Sequence, residues 1–370
     1  LHDALADFKE SGKFIVSYSE GYTQGSYYLA SVSDEIYLYP TGSLQWSGLA
    51  SERMFFKQML DKLDIDMQII RGSNNKFKSA VEPFIVDKMS PANREQTEKY
   101  MFSFWDHIVS EISKSRNIGI EQLNTLADEM SITNAQKAVD FKFVSGIKYQ
   151  DEVEEILKEK MEVKEDKKLT TITLNKYMEV VKRKLLVKNK GKKNIAVVYA
   201  NGQIISGKGS EEIIGSETTV KHLKKARLND SIKAVVLRVN SPGGSALASD
   251  VIWREIELIK KSGKKVVVSM GDLAASGGYY IACNADKIFA QENTITGSIG
   301  VFGMIPNAQG FFNNKMGITF DRAKTNKHAD LMSISKPLSD EEYKVIQSEV
   351  DRIYDDFITK VSSGRGMTKE

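Results

Sequence analysis

The sequence predicts an α/β protein in which parallel sheets with helical crossovers are built twice in tandem. Three observations carry this expectation. Short β-branched runs alternate with stretches of helical apolar spacing, the runs end in turns of glycine and other small residues, and one part of the chain resembles another about 250 residues away.

The elements follow in order. "SGKFIVSYSEGYTQGSYYLASVSDEIYLYPTGSLQWSG" (11–48) lies over "SGKKVVVSMGDLAASGGYYIACNADKIFAQENTITGSIG" (262–300) with a single one-residue gap. The overlay aligns the "SGK" turn, the helix face "YYLAS" with "YYIAC", "SDEI" with "ADKI", and the closing glycines Gly48 and Gly300. Farther on, "WDHIVSEISKSRNI" (105–118) matches "YDDFITKVSSGRGM" (354–367). In the second copy, "NIAVVYA" (194–200), "KAVVLRV" (233–239) and "KKVVVSM" (264–270) read as strands covered on both faces. Between them, 216–230 and 247–263 have helical spacing. The second of these opens after Ser245 and closes at Gly263, as helix caps should.

The repeat sets the expected domains: a first repeat over 1–165, a linker over 166–192 and a second repeat over 193–370. In the overlay, residues 1–10 match 252–261, so the first copy lacks a counterpart of 192–251, and the second stops where the first continues. The sequence therefore reads as a fragment of a longer chain. The densest basic stretch, "VVKRKLLVKNKGKKN" (180–194), reads as a solvated connector, with contact to an anionic membrane surface as the sharper alternative.

Composition narrows the function classes. A net charge of +3 from nearly balanced acids and bases makes no case for nucleic acid as a partner. The single cysteine, Cys283, excludes an internal disulfide and sits in an apolar helical pattern, where a buried structural thiol is expected. No segment approaches the roughly 18 apolar residues needed to span a bilayer.

The chemistry gathers at two loops that follow strands. "VNSPGGS" (239–245) and "GDLAASGG" (271–278) lie where ligands collect in open α/β sheets, beyond the carboxyl ends of the strands. Ser276 stands among alanines and glycines at the start of a helix. Its loop and the Pro-Gly-Gly loop together suit an oxyanion hole, with one donor from Gly243 or Gly244 and another from Gly277. None of the four histidines, at 2, 107, 222 and 328, is near Ser276 in sequence. Glycine could also serve a nucleotide, but "GKGSEEIIG" (207–215) lacks the fingerprint context and no GxxxxGK[ST] occurs.

"RVNSPGGS", "MGDLAASGGYYIAC" and "TITGSIGVFG", with "KFKSAVEPF" (76–84) in the first copy, resemble the signal peptide peptidases of the protease IV type. The resemblance covers essentially the whole chain. It implies a Clp/crotonase-like fold and a serine–lysine dyad, with Ser276 as nucleophile, Lys78 as general base and Ser298 orienting the lysine amine. It also implies apolar peptide substrates such as signal-peptide remnants, a ring-like homo-oligomer (a tetramer), an N-terminal anchor outside this chain, and a bacterial inner-membrane site facing the periplasm. No cofactor or metal is implied.

The overlay agrees with this assignment. Gln24 occupies the place of Ser276 in the first copy, and the place of Lys78 falls in "HADLM" (328–332), which has no lysine. Each copy keeps what the other has lost, as expected of two halves sharing one site, within one chain or between subunits. Phe77, Ala80, Val81 and Phe84 are the expected apolar surroundings that keep Lys78 neutral, and Lys76 is the rival base. Asp272 departs from the small residue expected there and could alter the entrance to the site. The alternatives are a crotonase-type acyl-CoA enzyme, which needs neither the serine nor the lysine, and a catalytically silent peptide-binding or membrane scaffold.

Overall fold

A computed structural model describes residues 1–164, 166–180 and 193–369. Most of the basic stretch 180–194 and of the expected linker's second half lies outside the described residues. The chain divides into two compact units, Leu1–Ser51 with Lys99–Val187, and Glu52–Glu98 with Lys188–Glu370.

The first unit carries a three-stranded parallel sheet in the order Val16–Tyr22, Glu35–Leu44, Gly146–Ile147. Helix Gln24–Ala30 makes the crossover between the first two strands. Its core is aromatic: Tyr27, Trp46 and Phe143 are buried with Ile36, Leu38, Ile112 and Leu123. The polar tips of the rings are satisfied, since the Tyr27 hydroxyl donates to the Phe143 carbonyl and the Trp46 indole to that of Leu123, both at 2.8 Å.

The second unit holds a larger parallel sheet in the order Lys287–Phe289, Lys265–Ala275, Ile232–Ser241, Asn194–Asn201, with Ile295–Gly297 pairing the far end of Lys265–Ala275. Helices Ser216–Leu228 and Ala246–Lys261 are the crossovers, as expected for a Clp/crotonase-like domain. Ser245 caps the latter, accepting from the Ala248 N–H. The helices bury Leu223, Ile252 and Ile256 against Val198, Leu237 and Val268 of the strands. One expectation needs correction: Asn194–Asn201 is an edge strand and is not covered on both faces. Its inner residues Val198 and Ala200 are buried, while Ile195, Val197 and Tyr199, which point the other way, are each more than half exposed.

The compact units do not follow the repeat boundaries. Glu52–Glu98 comes from the first repeat in sequence but belongs to the second unit. The reason is strand Asp66–Arg71, which pairs antiparallel with Phe302–Asn307 over six residue pairs. Ile70, Ile305 and Val350 are buried together behind this pair. Gln68 accepts from the Leu338 N–H at 2.7 Å and Gln347 donates to the Arg71 carbonyl at 2.9 Å. The repeat itself persists in helix lengths, because Pro91–Arg116 and Asp340–Arg365 each have 26 residues. Among the described residues, no helix is long and apolar enough to cross a membrane.

Candidate active site

Within the second unit, strand Lys265–Ala275 ends one residue before Ser276, which caps helix Gly277–Ala282. Ser276 has φ 52° and ψ −119°, a conformation that glycine adopts freely and serine does not. Its N–H donates to the Gly297 carbonyl at 3.0 Å and its carbonyl accepts from the Tyr280 N–H at 2.9 Å, so both sides of the residue are held. Ser298 is also forced to positive φ, at 54°. Strain of this kind costs on the order of 1–3 kcal/mol per residue and gathers at functional sites.

Lys78 comes to Ser276 from the Glu52–Glu98 segment. Its amine lies 3.4 Å from Ser276 Oγ, 3.0 Å from Ser298 Oγ and 3.4 Å from the Ser298 carbonyl. The contact with Ser276 is at the long end of the hydrogen-bond range. Burial pushes the Lys78 amine below the ordinary lysine range. The apolar surroundings differ from those expected. Lys78 lines a cavity with Gly300, Val301 and Phe302 of the second repeat, and its amine stands 5.9 Å from the centre of the Phe302 ring. Phe77 is 45 % exposed, and Phe84 stacks on Phe56. Lys76 is exposed and sits over the Phe77 ring, so Lys78 is the lysine that reaches Ser276.

A buried polar cluster holds the lysine loop from behind. The Glu82 carboxylate accepts from the Ser90 N–H and hydroxyl and from the Asn93 amide, and these bonds overcome burial to hold its carboxyl below the usual range. Gln96 donates to Ser79 Oγ at 2.7 Å, fixing the residue next to Lys78.

The glycines separate into two roles. Among the described residues, nothing accepts from the N–H of Gly277 or of Gly244, and both residues line the cavity beside Ser276. Gly243 does not fit the expected donor role, because its N–H already donates to Ser241 Oγ at 3.1 Å. It provides clearance instead: at φ 97°, a Cβ there would lie 2.5 Å from the Gly277 nitrogen and 2.8 Å from Ser276 Cβ.

The cavity measures about 350 Å³. Its far wall is Tyr280 with Val350, Ile353 and Phe357 of helix Asp340–Arg365. These three helical residues were not singled out from sequence. Their spacing announces an apolar stripe, but nothing local says what the stripe faces. Tyr280 donates to Asp250 at 2.9 Å, and Lys360 bonds both Asp250 and the Tyr280 hydroxyl, pinning the helix to the wall. Asp272 is exposed on the strand and is not among the residues that line the cavity. Cys283 is fully buried and its thiol is pushed up to about 11 by burial, in keeping with a structural role. A larger cavity of about 620 Å³, between Asn194–Asn201 and Ser216–Leu228, includes Gly209–Glu211 of the glycine-bearing loop. Its lining includes His222 and Glu211 but neither lysine nor arginine.

The profile of peptidase family S49 matches residues 7–164 and 259–370, which takes in parts of both repeats. "Protease 4" of Haemophilus influenzae is 38% identical over 377 aligned residues, covering 99% of this chain and 60% of that protein. "Serine protease SPPA, chloroplastic" of Arabidopsis thaliana is 32% identical, covering 98% of this chain and 54% of that protein. A "Putative signal peptide peptidase SppA" of Enterococcus faecium is 37% identical over 55% of this chain and 61% of its own length. The chain thus spans about 60% of the length of the Haemophilus relative.

Proposed function

Because the chain belongs to peptidase family S49, we propose that it carries the catalytic apparatus of a serine endopeptidase, with Ser276 as nucleophile and Lys78 as general base. The observation that carries this reading is the approach of a half-buried lysine amine to the hydroxyl of a serine with a strained backbone, 3.4 Å apart, at the mouth of a largely apolar cavity. Burial favours the neutral amine, the form able to take a proton.

Ser276 Oγ attacks the peptide carbonyl carbon as its proton passes to Lys78 Nζ. The tetrahedral oxyanion accepts hydrogen bonds from the Gly277 and Gly244 N–H groups, each worth on the order of 3 kcal/mol in the transition state. The Lys78 ammonium then gives its proton to the departing amine, leaving an acyl-serine. Water, deprotonated by Lys78, hydrolyses that ester and restores both groups. Ser298 Oγ holds the amine in place throughout.

The substrates are apolar peptides such as cleaved signal-peptide remnants. Val301, Phe302, Val350, Ile353 and Phe357 give the cavity an apolar lining, and the Enterococcus relative bears the corresponding name. The intact protein acts as a homo-oligomer at the bacterial inner membrane, facing the periplasm. The test is hydrolysis of a leucine-rich peptide by the intact protein and by its Ser276→Ala and Lys78→Ala variants. Each variant should lose about 10³-fold or more in kcat while remaining folded. Substantial turnover by Lys78→Ala would place the base elsewhere.

A further inference from the structure

The strand that leads to Ser276 is irregular at the point where it matters. Strands Ile232–Ser241 and Lys265–Ala275 pair in step as far as Val239 with Met270, then resume at Ser241 with Ala274. Two positions advance on one strand against four on the other, so Gly271–Leu273 form a bulge with two extra residues. Bulges of this kind re-aim the side chains that follow.

A bulge takes backbone groups out of the ladder, and here side chains replace the lost partners. Asn240 Oδ1 accepts from the Leu273 N–H at 3.0 Å. On the other edge, the Thr294 hydroxyl donates to the Gly271 carbonyl at 2.8 Å. Asn240 also fills the space beneath the bulge, since a Cβ on Gly271 would lie 3.0 Å from both Cβ and Cγ of Asn240. Its own backbone is fixed by pairing with Asn201 and by accepting from the Gly202 N–H at 2.9 Å. Asn240 is also the residue that leads into Ser241-Pro242-Gly243-Gly244.

We propose that Asn240 is a positioning residue: its side-chain carbonyl fixes the bulge that aims Ser276 and ties it to the strand end from which the Gly244 donor extends. The proposal rests on the serine-peptidase reading above. One amide thereby couples the nucleophile to the oxyanion donors, although it touches neither the cavity nor Lys78.

The experiment measures kcat, KM and thermal midpoint in the intact protein for Asn240→Leu, Asn240→Asp and Ser276→Ala with an apolar peptide. Leucine keeps the bulk and removes the acceptor, whereas aspartate keeps an acceptor in the same place. Asn240→Leu should lower kcat about 10- to 100-fold, the scale of a small misplacement of reacting groups. KM should stay within about threefold, since the apolar cavity is unchanged, and Asn240→Asp should recover most of kcat. Parental kcat in Asn240→Leu overturns the proposal, as does equal impairment of both variants. If Asn240→Leu fails to fold while Asn240→Asp folds and works normally, the residue is structural, and the positioning role is likewise overturned. Turnover surviving in Ser276→Ala sinks the peptidase reading itself; a failure confined to Asn240 leaves Ser276→Ala inactive.

Discussion

The turns at 23–26 and 275–278 occupy equivalent places in the two repeats, yet their polar groups are disposed in opposite ways. In the first, Thr23 caps its helix at an ordinary φ of −73° and accepts from the Ser26 N–H. Gln24, at the place of Ser276, folds its amide onto the loop that ends at Gly48. It accepts from the N–H groups of Ser47 and Gly48 at 2.6 and 2.8 Å and donates to the Gly48 carbonyl at 2.9 Å. In the second, Ser276 has φ 52°, makes no side-chain cap and meets an amine. Gly300, the counterpart of Gly48, would place a Cβ 3.3 Å from Lys78 Cδ. One turn is relaxed and closed by its own side chain; the other is strained and held open for a partner from a distant part of the sequence. A shared scaffold thus carries either a satisfied polar lock or a strained serine facing an amine, and a few side chains decide which.

The largest expected effect comes from exchanging the two residues. Ser276→Gln should abolish peptide hydrolysis, a loss of about 10³-fold or more, because it removes the proposed nucleophile. Gln24→Ser in the Ser276→Ala background should not restore it, since Gln24 faces backbone groups of Ser47 and Gly48 instead of an amine. Turnover regained in that double variant would break the comparison, because a hydroxyl at either turn would then suffice.

A smaller effect concerns the amine. Lys78 is held below the ordinary lysine range by burial, so its neutral fraction, and with it kcat/KM, should rise with pH along a limb centred below that range. Phe302→Glu places a carboxylate near the amine and favours the ammonium. The limb should move to higher pH, and a displacement of one unit lowers activity at neutral pH about tenfold. An unmoved limb would mean that another group sets it. Stability gives a second check. A lysine whose pKa is lower in the folded state destabilises the fold while protonated, and that cost disappears as pH rises past the unfolded value. Lys78→Met should therefore be inactive yet more heat-stable than the parent at neutral pH, with the advantage shrinking in alkali.

The strand and crossover pattern of the second repeat was legible because it is local. The β-branched runs and the Ser245 and Gly263 caps declare themselves within a few residues, and the structure places helix Ala246–Lys261 between those caps. That Ser276 and Lys78 come together was also legible, the first from the small residues around it and the second from the motif and the repeat. What could not be read was long-range pairing. That Asp66–Arg71 leaves its own repeat to pair with Phe302–Asn307 depends on two segments more than 200 residues apart. The same pairing explains why Val301 and Phe302 surround Lys78 where Phe77 and Phe84 were expected. The choice between Gly243 and Gly244 as donor stayed open for a different reason. Glycine-rich sequence signals close backbone approach, but which N–H is free depended on Ser241 Oγ.

The smallest effect tests backbone strain alone, and its sign should reverse between the two turns. Ser276→Gly and Ser276→Ala both delete the hydroxyl, so their difference isolates the cost of φ 52° for a residue with a Cβ. The glycine variant should be the more stable by about 1 kcal/mol, despite the greater freedom of glycine in the unfolded chain. At Gln24, the first residue of helix Gln24–Ala30, φ is not positive, and both substitutions delete the same amide bonds. There, alanine should be the more stable by about 0.5–1 kcal/mol, the ordinary helical preference. Thermal midpoints of the four variants give both signs. Alanine winning at both positions would mean that Ser276 is not strained, leaving its small neighbours to serve the approach of substrate and lysine alone.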